Sequence, residues 1–148
     1  MLRRVAPFAA ALILLAAPAA ALSPFAVFFD SGSAVLDARA REILDHAVEQ
    51  IRATDVRGLS IEAAADRVGS AEANLRLSRR RAEAVRAYLL ARGLPPAAIR
   101  VAAHGETGQP IVQTPDGVAE PQNRYAMVII NRVCTRMTER GLEPVPGC

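Results

Sequence analysis

The sequence has no tryptophan and no lysine, only two histidines and two cysteines, and aromatic residues fill just 4% of its 148 positions. Each shortage removes a class of explanation. With so few aromatics, the core has to be built from Ala, Val, Ile and Leu, which suits one small domain. His46 and His104 stand in no nucleophile–base arrangement, so triad chemistry has no candidate. Gly105 to Gly108 does not form a phosphate-binding glycine pattern. No His or third Cys lies near Cys134 and Cys148, so no metal site is expected. The chain is therefore expected to be non-catalytic, with no cofactor.

Long apolar runs are equally scarce. The one present, Val5–Ala17, follows Arg3 and Arg4 and precedes Ala19-Ala20-Ala21. This is the layout of a signal peptide over 1–21, cleaved after Ala21; the alternative is an uncleaved anchor. No Cys follows the run, so a lipid-attachment site is not expected, and no later stretch is apolar enough to span a membrane. Because lysine is missing, every basic residue is Arg. Arg3 and Arg4 account for two of the +3 net charge, so the high pI of 9.5 says little about nucleic acid. In an exported chain, Cys134 and Cys148 are expected to pair, the alternative being two free thiols. Closing a ring of about 15 residues is worth roughly 3 kcal/mol in the chain-entropy model.

What remains is ordered by hydrophobic period. Phe25–Phe29 is strand-like and is stopped by Asp30-Ser31-Gly32-Ser33. Leu36, Ala40, Ile43, Leu44, Ala47, Val48 and Ile51 follow helical spacing. Leu59–Ala65 reads as a second strand. Ser70 is a candidate N-cap for a helix running to about Arg92 and ending at Gly93. Ile99–Ala103 and Tyr125–Ile130 read as strands, separated by a Gly- and Pro-rich loop over 105–122. The expected fold is α/β, β-α-β-α-β-β, with two long helices packed on one mixed four-stranded sheet.

One stretch carries a candidate site. Asp66 ends the second strand, where ligands of open α/β sheets tend to bind. The following helix has Ser78, Ala82, Val85 and Leu89 as its buried stripe, with Arg81 on the border. There its guanidinium would be free to hold a carboxylate, while Asp66 would hold an ammonium. The pair suits a zwitterionic group; the competing reading is that Asp66 and Arg81 pair with each other. Arg76, Arg79, Arg80 and Arg86 read as a solvated face. His46 reads as surface, and His104, at a strand end, is a further candidate contact.

Residues 74–89, NLRLSRRRAEAVRAYL, match N-x-x-L-S-x-x-R-A-x-x-V-x-x-x-L in full. This resembles the signature of the OmpA-like C-terminal domain, shared with peptidoglycan-associated lipoproteins and flagellar stator proteins. FFDSGSAVL at 28–36 is similar to the family's entry motif, and Asp66 with Gly69 to its D-x-x-G. Gly105-Glu106 before Pro110 is similar to its G-E-x-x-P loop with one extra residue, and Asn123-Arg124 to the start of N-R-R. The likeness covers about 25–131, so the implied division is a signal peptide at 1–21, a domain at 22–131 and a tail at 132–148.

The resemblance implies noncovalent binding of peptidoglycan stem peptides, with Asp66 and Arg81 holding diaminopimelate and Asn74, Asn123 and Arg124 around them. It also implies a periplasmic place in a Gram-negative envelope, linking wall and outer membrane, with an envelope protein as a further partner. Three departures stand out. Ala63-Ala64-Ala65 replaces G-H-T, Tyr125 replaces the second Arg of N-R-R, and the loop near Gly108 is one residue longer. The alternative they favour is a protein-interaction module that has kept the fold and lost the wall.

Overall fold

The structure, a computed structural model, describes residues 24–53, 56–132, 134–138 and 141–145. Residues 1–21 and Cys148, and with them the expected signal peptide and Cys134–Cys148 bridge, lie outside the described residues.

The elements are β1 (Phe25–Phe28), α1 (Ala38–Ala53), β2 (Val56–Ala64), α2 (Ala71–Ala91), β3 (Ile99–Gly105) and β4 (Tyr125–Arg132). Strand order in the four-stranded sheet is β1-β4-β2-β3. β2 and β3 run parallel because α2 carries the chain back over the sheet between them. β4 is antiparallel to both of its neighbours, β1 and β2.

Local chemistry sets the helix ends. Asp37 caps α1, its Oδ1 accepting the Ala40 N–H at 2.7 Å. Ser70 caps α2, accepting from Ala73 N, and Gly93, at φ +87°, lets the chain turn off the far end. Both helices bury their stripes against one sheet face. Leu44 and Val48 from α1, and Ala82, Val85 and Leu89 from α2, meet Val27, Leu59, Ile61, Ala63, Ala126 and Val128 in a single cluster.

The segment after Arg132, read as a tail, carries a hairpin of β5 (Cys134–Thr138) and β6 (Gly141–Val145). β6 contains Pro144; in a two-stranded ribbon each strand is an edge, the sheet position that accepts proline.

One close approach decides where α2 sits. Gly105 ends β3 at φ +58°, and a Cβ there would lie 3.0 Å from Leu75 N. Only glycine allows the strand end and the first turns of α2 to touch. Ser78 then joins them: its Oγ accepts Gly105 N at 2.9 Å and donates to Leu75 O at 2.9 Å. The ends of β2 and β3 and the start of α2 are thereby locked together, with Asp66 just beyond β2.

Candidate functional site

Arg81 is fully buried, which corrects the expectation of a border residue with a free guanidinium. Nε donates to Ser33 O at 2.9 Å, Nη1 to Ala64 O at 3.0 Å and Nη2 to Asp30 O at 3.1 Å. The Phe29 ring lies 5.1 Å from its Cζ. The guanidinium thus ties the β1–α1 turn to the end of β2. A guanidinium has five N–H groups. Two of Arg81's, one on each Nη, take no partner among the described residues. Burial pushes the Arg81 pKa down to about 10, with the Asp66 charge opposing the shift, so the group is charged at neutral pH.

Asp66 does not pair with Arg81. Its Oδ2 accepts Arg124 Nη1 at 3.1 Å and Glu120 N at 3.4 Å. Arg124 also donates from Nε to Phe29 O, which fixes the fork. The carboxylate, only 4% exposed, therefore lies under the 105–122 loop.

Asn74 and Asn123 are both buried and already engaged. Asn74 Nδ2 donates to Glu106 Oε2 at 2.7 Å. The Asn123 amide pairs with both backbone groups of Val112, at 3.0 and 2.7 Å, as a strand neighbour would. Arg67 straps the same loop: it meets Asp116 at 3.0 Å and Thr114 O at 3.2 Å, while its own carbonyl accepts Gly117 N.

Between loop and sheet lies a cavity of about 200 Å³, lined by Ala64, Ala65, Glu106, Gly108, Thr114 and Asn123 among others. One of its lining residues, Ala64, is the residue whose carbonyl takes Arg81. Thr114 Oγ1 is buried there without a hydrogen-bond partner among the described residues. A buried unpaired hydroxyl costs about 1–3 kcal/mol and marks a place for a polar guest.

The three departures in the motifs meet at this loop. A Cβ on Gly108 would stand 3.0 Å from Ala64 Cβ and 3.0 Å from His104 Cβ. The longer loop comes down onto the spot that a larger side chain at 64 would fill. Tyr125 supports it, donating its hydroxyl to Gln109 O at 2.8 Å. His104, a candidate contact, is instead 3.7 Å from Glu62 and lines a separate hollow with Tyr125 and Met127. Ser78, Glu106, Thr114 and Arg67 had no site role in the sequence reading. Ser78 and Glu106 stood inside the quoted motifs; Thr114 and Arg67 had no signal at all.

A family model described as the OmpA family matches residues 28–124. A "Peptidoglycan-associated lipoprotein" of Rhizobium meliloti (strain 1021) is 35% identical over 104 residues, covering 70% of this chain and 58% of that protein. An "Outer membrane protein" of Gluconacetobacter diazotrophicus is 37% identical over 113 residues, covering 72% of this chain but 30% of that protein. The chain thus spans less than two thirds of the length of these relatives. Among solved structures, the peptidoglycan-associated lipoprotein from Burkholderia pseudomallei superposes with a TM-score of 0.64 at 27% identity, covering 72% of this chain and 89% of that one. The C-terminal domain of Helicobacter pylori MotB gives a TM-score of 0.61 at 16% identity, covering 75% of this chain and 85% of that one, a likeness of fold alone.

Proposed function

The chain belongs to the OmpA family, and from that premise we propose that it is a non-catalytic envelope module that binds peptidoglycan noncovalently through a stem-peptide diaminopimelate. Its place is the periplasmic side of a Gram-negative envelope, as the names of its relatives indicate. The observation that carries the reading is the Arg81 guanidinium, with two N–H groups to spare and the Asp66 carboxylate acting on it. Two free guanidinium N–H donors suit a carboxylate, and Asp66 suits an ammonium. Together they fit the zwitterionic end of diaminopimelate. Asn74, Asn123 and Arg124 serve this pair by holding Glu106, the loop and Asp66 in place. Entry of a ligand requires the loop to lift from Asp66, breaking the Glu120 N–H contact.

Co-sedimentation with diaminopimelate-containing sacculi tests the reading. Asp66→Ala is expected to lower binding at least tenfold, as is Arg81→Lys, which keeps charge but loses the planar fork. Arg79→Ala is expected to bind as wild type. Circular dichroism checks that each variant is folded. Equal binding by all three variants, or release of soluble fragments from the wall, overturns the proposal. The second reading, an interaction module without wall binding, draws on one observation: Asp66 and Arg81 are both shut away, at 4% and 0% exposure. Wild-type protein left in the supernatant would favour it.

A further inference from the structure

We propose that the outer face of α2 carries a docking surface for the phosphate groups of an anionic membrane, centred on Arg76, Arg79 and Arg80. All three side chains are exposed. Other arginines of the same unit have definite partners. Arg67 meets Asp116, Arg86 meets Glu83, Arg92 meets Asp45 and Arg124 meets Asp66. No carboxylate among the described residues lies within ion-pair distance of Arg76, Arg79 or Arg80. Spaced three and four apart on a helix, they repel one another, and of the acids at the same spacing Glu83 is engaged by Arg86 and Glu72 forms no ion pair with them.

The arrangement has shape as well as charge. With Ala73 one turn earlier, the three arginines line a surface depression of about 480 Å³. The Ala73 methyl leaves the space open, and the arginine stems give it apolar walls below the guanidinium forks. A guanidinium matches phosphate oxygens in the bidentate way it matches a carboxylate. Apolar walls under charged rims suit a phosphate attached to a carbon framework, as in a lipid headgroup. A sheet of many phosphates can also engage all three forks at once.

The buried stripe of α2, Ser78, Ala82 and Val85, points the opposite way, into the sheet. The patch therefore faces outward, apart from the cavity at the strand ends, and does not depend on the wall-binding reading. Each arginine near an anionic bilayer is worth roughly fivefold in partitioning, so the three together are worth about a hundredfold.

Vesicle sedimentation of the purified protein tests this. Wild type is expected to pellet with phosphatidylglycerol/phosphatidylcholine vesicles and not with phosphatidylcholine alone, and high salt should release it. R76Q/R79Q/R80Q is expected to lose about a hundredfold in partitioning. R39Q/R41Q/R100Q removes the same charge from other exposed positions and is expected to stay within about threefold of wild type. R79Q alone should lose about fivefold, which keeps the test open if the triple variant misfolds. Asp66→Ala should pellet as wild type, which separates this result from wall binding. Equal losses in both triple variants would reduce the effect to net charge and overturn the proposal. So would equal pelleting on both vesicle types, or binding of inorganic phosphate at the patch without any vesicle partitioning.

Discussion

Arg81, inside α2, and Arg92, its C-terminal cap, stand about three turns apart and occupy opposite environments. Arg92 is exposed, holds Asp45 through Nε at 2.7 Å and Nη2 at 3.0 Å, and lies over the Tyr88 ring. That hydrogen-bonded carboxylate raises its pKa. Arg81 is sealed from water and meets three backbone carbonyls with no carboxylate hydrogen-bonded to it, and desolvation lowers its pKa. The first fastens the C-terminal end of α2 to the middle of α1 in solvent. The second organises three chain segments and keeps donors in reserve. Burial without a full set of partners costs stability, and where a fold retains it, function is the physical reason to look for.

The contrast is tested most severely by Arg81→Met. It leaves three buried carbonyls without their donor and removes a charge that acts on Asp66, so we expect a loss of about 3 kcal/mol or more in urea unfolding. The matching change, Arg92→Met, should move the unfolding midpoint only slightly, because the pair it breaks is hydrated. If the two variants cost the same, burial is not what separates these arginines.

Gly105→Ala comes next. It forces a left-handed φ on alanine and sets a methyl 3.0 Å from Leu75 N, so the α2–β3 contact that positions Arg81 has to open. About 2 kcal/mol is expected, measured the same way.

Smaller still is Ala64→His, which puts back the residue type of the resembling motif. The imidazole meets Gly108 and pushes the loop outward, at a cost of about 1 kcal/mol. Faster hydrogen exchange at Val112 and Gly117 would report it. Unchanged exchange would mean that the short side chain and the long loop are unrelated.

The smallest effect concerns pH at the exposed end. Arg92, then Tyr88, hold the Asp45 carboxyl below its usual value, partly opposed by desolvation. A carboxyl depressed in the folded state contributes stability above its unfolded pKa of 3.8 and loses it as pH falls through the lower folded value. Asp45→Asn should therefore be slightly less stable than wild type near neutrality, and the difference should vanish in strong acid. Thermal melts across that range would show whether it does.

The helices and the four sheet strands were legible because period and caps are local properties. Ser70, Gly93 and the Leu44–Val48 and Val85–Leu89 stripes act on neighbours within a turn or two. The site was legible in its charges and not in its pairing. Helical spacing put Arg81 at the edge of a stripe, and spacing alone cannot show that the β1–α1 turn folds over that edge and covers it. Likewise Asp66 finds Arg124, 58 residues away, rather than the arginine on the adjacent helix. The hairpin after Arg132 falls in the stretch read as a tail, because a five-residue strand carrying Pro144 is tolerated only as an edge, and that position exists only once β5 and β6 pair.

By itself, then, the sequence determined the element order, the helix boundaries, the family signature at Asn74–Leu89 and the presence of one acid and one arginine at a strand–turn–helix junction. Local sterics and hydrophobic period suffice for these. Only the tertiary structure decided which charge meets which. It buried Arg81 on three carbonyls, brought Arg124 to Asp66, laid the long loop on Ala64 and, on the arginine face read as solvated, gave Arg86 a carboxylate while Arg76, Arg79 and Arg80 have none among the described residues. The first three outcomes depend on contacts between segments far apart in the chain, and on which of them excludes water.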